Sequence, residues 1–170
     1  MLIRDTARRL AHLAWVERRL FEVVGAWVVG TADGEVAALF AARSMHHGWR
    51  ASLLEEQVPV LHDLDPAELA PPDAFVHLLD AVAASADDRE RLVALAQVVG
   101  PHLAARHQAL LGDATPVADG PMARVLRLVV VDEQDDQRAA ELLLSSRFGD
   151  DDVRAAAHRS ALERLLPPGI

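Results

Sequence analysis

The sequence contains no cysteine, no tyrosine and no lysine. Without cysteine the chain can form neither a disulfide bond nor a thiolate metal site, and a cysteine nucleophile is excluded. Disulfide-free chains are typical of reducing compartments, so a cytoplasmic protein is expected. The absence of lysine means that every basic side chain is an arginine, whose charge is fixed at physiological pH.

The charge balance is acidic, with 17 arginines against 26 acidic residues and a net charge of −9. Proteins that bind the phosphate backbone need a basic face that releases counterions, so nucleic acid is not expected as a partner. The first residues turn polar too early for a signal peptide, and no stretch approaches the ~18 uncharged apolar residues of a membrane span. A membrane association is therefore not expected either.

The distribution of apolar residues predicts an all-α fold. A chain of 170 residues fits one domain, which can bury roughly two thirds of the surface that the unfolded chain exposes. Apolar residues recur at helical spacing in four long blocks, and the alternation typical of strands is hard to find. The four predicted helices cover residues 6–29, 35–62, 88–111 and 122–148.

Turn and proline signals predict how these helices are connected. Asp33-Gly34 joins the first two in a hairpin, and a longer segment with a short amphipathic helix at 74–84 separates them from the other two. Pro101 is expected to kink the third helix. Residues 1–150 are thus predicted to form an antiparallel four-helix bundle with a long crossover between helices two and three, and residues 151–170 an extra amphipathic helix and tail packed on the same domain.

Three acidic residues interrupt the apolar stripes of the first and fourth helices. Glu17 lies in the middle of the first stripe, and Glu133 and Asp136 lie three residues apart in the fourth, where both can face one point. A buried carboxylate without a partner costs several kcal/mol, so each must be ion-paired, protonated or bound to a cation. Asp132, on the next stripe, fits a solvated face equally well.

Histidines and arginines of the second helix are candidate partners for these acids. His46 and His47 are adjacent, and either can point inward, but hardly both. Arg43 and Arg50 share the stripe of His47, so they would supply ion-pair partners for acids of the facing helices. On the third helix, His102 and His107 are candidates of lower rank, because the charged pattern there also fits a surface.

Three segments, 15–22, 46–49 and 132–136, together with the hairpin order, resemble the ferritin-like superfamily and more closely its small actinobacterial-type ferritin-like domain proteins. The resemblance implies a site for two iron or manganese ions, held by one carboxylate from each of two helices and a Glu-x-x-His pair from each of the others. No Glu-x-x-His occurs in this sequence. The ligands that can be carried over are Glu17, His46, His47, Glu133 and Asp136, with Arg43, Arg50, Asp132, His102 and His107 around them.

Three functions follow as hypotheses from this pattern. The first is a metal-dependent oxidoreductase with iron or manganese. The second is a metal-free bundle that serves as a binding or assembly module, in which the arginines neutralise the acids. The third is a metal-independent acid/base enzyme, because crowded carboxylates raise one another's pKa. Hydrolase and kinase signatures are absent, and neither a catalytic residue nor a small-molecule substrate can be named. Leucines on the last helix predict a homodimer.

Overall fold

A computed structural model of the chain describes residues 2–115, 117–149 and 152–167. All regular structure in these ranges is helical, so the all-α class is confirmed. Among the helices described, none has both the length and the apolar character needed to cross a bilayer. The α-helices are α1 (Ile3–Val28), α2 (Gly34–Glu55), α3 (Asp73–Ala83), α4 (Asp88–Val93), α5 (Gly100–Asp113), α6 (Gly120–Phe148) and α7 (Val153–Glu163), with a 3-10 helix at Pro66–Leu69 and a π-helical segment at Ala94–Val99.

Helices α1 and α2 form a hairpin with a capped turn. The Asp33 side chain accepts hydrogen bonds from the backbone N–H groups of Glu35 and Val36, at 2.9 and 3.2 Å, and satisfies two donors that the start of α2 leaves free. Along the hairpin, a Cβ atom on Gly25 would lie 2.9 Å from Ser44 Oγ. This close approach of the two backbones sets the buried face of α2 directly against α1.

The second helix is shorter than the sequence pattern predicts. It ends at Glu55 rather than near residue 62. Two causes act together: Glu55 and Glu56 place negative charge at the negative end of the helix dipole, and Pro59 disfavours helical conformation in the residue before it. The residues from 56 to 72 therefore form a connection that contains the 3-10 helix.

The third predicted helix is interrupted in its middle. Regular α-helix gives way to the π-helical segment, and α5 begins at Gly100, directly before Pro101. Proline has no N–H to donate to the carbonyl four residues earlier, so the predicted irregularity at Pro101 has a local cause. The side chain of Gln137 on α6 donates a hydrogen bond to the Ala96 carbonyl inside the π segment. This contact ties the irregular turn to the neighbouring helix.

Helix α6 lies between α2 on one side and the α4–α5 segment on the other, and α7 packs against α3, α4 and the π segment. The Asp152 side chain caps α7, accepting from the N–H groups of Arg154 and Ala155 at 2.7 and 3.3 Å. Asp151, where the sequence pattern begins this helix, and residues 168–170 of the predicted tail lie outside the described residues. The more specific assignment to a ferritin-like four-helix bundle stays a prediction.

The crowding at Gly100 gives a testable expectation. A Cβ atom there would lie 2.7 Å from the Leu95 carbonyl oxygen and would collide with the Gln137 side chain. Gly100→Ala is therefore expected to lower the free energy of unfolding by about 1–3 kcal/mol in urea denaturation. Gly112→Ala is the matched control, because no atom lies within 4 Å of its Cβ position, and alanine should be neutral or stabilising by up to about 1 kcal/mol. Equal effects of the two substitutions would contradict the tight packing.

Candidate functional site

Charged side chains meet in the interior where α1, α2, α5 and α6 come together. Glu17 is 0% exposed and Glu133 is 7% exposed, so the prediction that both acids are buried is confirmed. Arg50, at 1% exposure, is the largest of the fully buried side chains described. The central cluster, as we call it, consists of Glu17, Arg43, His46, His47, Arg50, His107, Asp132, Glu133 and Asp136.

Glu17 of α1 is held by two groups of α2. Its Oε2 atom lies 2.6 Å from His47 Nδ1 and accepts a hydrogen bond from Arg50 Nε at 3.2 Å. Burial alone would raise the pKa of Glu17, but the positive charge of Arg50 and the contact with His47 lower it to about 2. Glu17 is therefore an ionised carboxylate, and its buried Oε1 atom has no hydrogen-bond partner in the described part of the chain.

The ionisation of Glu17 fixes the tautomer of His47. An ionised carboxylate can only accept, so His47 Nδ1 carries the proton and donates it to Glu17. The Arg50 Nη2 atom, 3.0 Å from the same Nδ1, is then a close neighbour and not a hydrogen-bond donor to it. Burial lowers the pKa of His47, and the positive charges of Arg50 and Arg43 lower it further. Glu17 acts in the opposite direction, but the pKa stays below its ordinary value. His47 is thus neutral, and its buried Nε2 atom has no hydrogen-bond partner among the described residues.

Arg50 connects α2 with two acids of α6. Its Nη1 atom donates to Asp136 Oδ2 at 2.9 Å and also to Asp132. Burial would lower the pKa of Arg50, but Glu17, Asp136 and Glu133 together raise it, so its charge is permanent. One guanidinium therefore binds three carboxylates from two helices.

His107 and Glu133 form a separate pair between α5 and α6. His107 Nδ1 lies 2.9 Å from Glu133 Oε1. Burial lowers the pKa of His107, yet the attraction of Glu133 outweighs it and the pKa is raised; burial also raises the pKa of Glu133. Both shifts favour an additional proton on this pair. The outer atoms, His107 Nε2 and Glu133 Oε2, are buried and lack partners among the described residues.

His46 joins the central cluster from its solvent side. Its Nδ1 atom lies 2.8 Å from Asp136 Oδ1, and its side chain is 41% exposed. Of the two adjacent histidines only His47 is buried, which agrees with the expectation that hardly both point inward. Helix α2 lies between α1 and α6, and adjacent residues point about 100° apart around a helix. His47 therefore reaches Glu17 of α1, whereas His46 reaches Asp136 of α6. His46 and Asp132 form the edge of the cluster that reaches the solvent.

The structure places His102 apart from the central cluster, which corrects its assignment to the pocket. Arg106 Nε donates to His102 Nε2 at 2.8 Å, and the imidazole packs edge-on against Phe75. Burial and the charge of Arg106 lower the pKa of His102 to about 4. His107, of equal rank in the sequence pattern, lies at the centre instead. The spacing of Leu103, His107 and Leu110, all buried, is the signal that distinguishes it.

The charge balance of the cluster leaves an excess of negative charge. Four carboxylates face two guanidiniums, so with neutral imidazoles two negative charges stay uncompensated. Either two protons, shared within the imidazole–carboxylate pairs, or one divalent cation can balance them. Two groups bring their potential ligand atoms within 4.8 Å of one another: Glu17, His107 and Glu133, all buried, and His46, Asp132 and Asp136.

Comparisons with models of known families, with curated proteins and with solved structures found no match for this chain. The resemblance to the ferritin-like superfamily therefore rests on its own residues and stays a prediction.

Proposed function

We propose that the chain is a ferritin-like protein that binds one divalent cation, iron or manganese, through Glu17, His107 and Glu133. The observation that carries the proposal is that these two carboxylates and one imidazole are buried at one point, and that each has a polar atom without a hydrogen-bond partner in the described residues. Carboxylate and imidazole ligands suit iron, manganese and zinc. The charge of one such ion equals the excess negative charge of the cluster.

The distribution of the cluster over the helices supports the ferritin-like assignment. In dimetal members two helices give one ligand each, and two helices give a pair of ligands three residues apart. Here α1 and α5 give one residue each, whereas the several cluster residues of α2 and of α6 include one pair three residues apart on each helix, His47 with Arg50 and Glu133 with Asp136. The dimetal ligand set itself does not fit, because an arginine stands at one of these positions. The proposal is therefore limited to a single ion.

The chain's own residues prepare this site in three ways. His47 and Arg50 hold Glu17 ionised and fix its orientation, which leaves Oε1 free to bind. The proton shared by His107 and Glu133 is the one that cation binding would release. Iron or manganese would supply one-electron chemistry there, which is the basis for proposing an oxidoreductase. A small-molecule substrate, a homodimer and a cytoplasmic location stay predictions.

Metal titration tests the proposal directly. Protein freed of metal with a chelator should bind about one Mn²⁺ per chain in calorimetry, with protons released on binding. Glu133→Gln should weaken the affinity at least about tenfold, since even residues that only orient metal ligands contribute that much. Asp135→Asn is the matched control, because Asp135 is an exposed carboxylate on the same helix, paired with Arg138. Equal affinities in the two variants would contradict the proposed ligands.

A metal-free bundle that acts as a binding or assembly module is the alternative, and the Arg50 contacts favour it. Arg50 and Arg43 already balance two of the four carboxylates, and a proton on the His107–Glu133 pair would balance a third. The shared proton of His107 and Glu133 is also the feature that a metal-independent acid/base enzyme would use. Failure of the native chain to bind any divalent cation would favour these functions over the first.

A further inference from the structure

We infer that the guanidinium of Arg50 occupies a second cation site, formed by Glu17, Asp132 and Asp136, and so limits the central cluster to one metal ion. The inference depends on the proposed function only for the first ion, because the second site is defined by the contacts of Arg50 itself. Its prediction is that the chain gains a cation site when this one side chain is removed.

The contacts of Arg50 are those of a bound cation. The guanidinium is 1% exposed and binds one carboxylate of α1 and two of α6, with 3.2 Å to Glu17 Oε2 and 2.9 Å to Asp136 Oδ2. Arg43 provides the contrast within the same helix. It is equally buried, but its Nε atom lies 3.6 Å from Asp136, outside hydrogen-bond range. Of these two buried arginines of α2, Arg50 is the one that hydrogen-bonds to several carboxylates.

The oxygens that Arg50 binds would suit a metal ion once they are released. Asp132 and Asp136 offer ligand atoms within 4.8 Å of one another and of His46, and Glu17 Oε2 accepts a hydrogen bond from the same guanidinium. Oxygen and imidazole donors of this kind bind manganese, iron or zinc. A guanidinium and an ion cannot hold the same oxygens at once, so the two are mutually exclusive.

Removal of the arginine also changes the charge that the cluster must balance. With Arg50 present, four carboxylates face two guanidiniums, and one divalent cation completes the balance. Without it, four carboxylates face Arg43 alone, and three negative charges are in excess. One divalent ion can no longer neutralise the interior. Both the excess negative charge and the released ligand oxygens then favour the binding of a second ion.

The experiment compares Mn²⁺ binding by the native chain and by Arg50→Ala, which leaves room for an ion. Both proteins are stripped with a chelator, titrated in a calorimeter, and analysed for bound metal after gel filtration. The native chain is expected to bind one ion and Arg50→Ala two. Arg50→Lys keeps the charge in place and Arg18→Ala removes an arginine of α1 that pairs with Glu55 at the surface, outside the cluster, so both controls should bind as many ions as the native chain.

Thermal melting keeps the test decisive if Arg50→Ala is unstable. The melting temperature of Arg50→Ala should rise more with Mn²⁺ than that of the native chain, because the ion restores the lost cation. If the native chain binds no ion and Arg50→Ala binds one, the proposed function fails and this inference stands. The inference is overturned if Arg50→Ala binds no more Mn²⁺ than the native chain, or if it stays unfolded in saturating Mn²⁺.

Discussion

Replacing Arg50 with alanine is expected to lower the free energy of unfolding by about 3–5 kcal/mol in chelator-treated protein. The substitution leaves Glu17, Asp132 and Asp136 without their shared cation in an interior where an unpaired charge is poorly solvated. Urea denaturation at neutral pH, followed by tryptophan fluorescence, measures the loss. The deficit should shrink on acidification, because the released carboxylates can then take up protons.

Arg18→Ala is the matched control for this experiment. Arg18 binds Glu55 at 2.7 Å between the same two helices, but both side chains are more than 40% exposed. Exposed pairs of this kind contribute about 0–1 kcal/mol. If Arg50→Ala were no more damaging than Arg18→Ala, the guanidinium would not be what holds the buried acids.

Glu17 should contribute strongly to the loss of stability in acid. Its pKa in the folded chain is about 2, below the ordinary value of 4.5, so its contribution is present above pH 4.5 and is lost as the pH falls towards 2. The difference between the two pKa values corresponds to about 3 kcal/mol. In Glu17→Gln this contribution is absent at every pH. The gap in unfolding free energy between the native chain and Glu17→Gln should therefore close by about 3 kcal/mol on acidification.

Unfolding free energies measured in metal-free buffer from neutral pH down to the lowest pH with a folded baseline would show this closing gap. Glu55→Gln is the control, since Glu55 is a half-exposed partner of Arg18 and its removal should change the unfolding free energy by no more than about 1 kcal/mol. A gap between the native chain and Glu17→Gln that stays constant with pH would mean that Glu17 titrates normally in the folded state.

The burial of the acids could be predicted from the sequence because helical periodicity identifies the apolar face of a helix even where a few charged residues lie on that face. Glu17, Glu133 and Asp136 interrupt stripes whose other members are buried, and all three are buried. The same periodicity predicted the all-α class. What it could not give is the partner of each acid. Arg50 binds residues of α6 that are more than 80 positions away in the sequence. Which residues meet depends on how far α2 and α6 are shifted along their axes, and the connecting segments determine that shift.

The rotation of α2 could not be predicted for a different reason. Its outer face carries Met45 and Trp49, which are 69% and 46% exposed, so apolar residues occur around most of the helix. Without a clean polar face, the pattern cannot decide between His46 and His47. On the third helix, the π-helical segment changes the number of residues per turn. A stripe read at constant spacing therefore does not carry over from α4 to α5, and the charged residues around His102 and His107 fit a surface as well.

The bonding between Arg50 and the two α6 acids also restricts how α2 and α6 can slide past each other. A shift by one helical turn moves a side chain by about 5.4 Å, which an apolar interface of similar leucines and valines can tolerate. The same slip would separate the Arg50 guanidinium from Asp132 and Asp136 and leave all three charges unpaired in the interior. We therefore expect the charged interior to select a single alignment of these helices during folding.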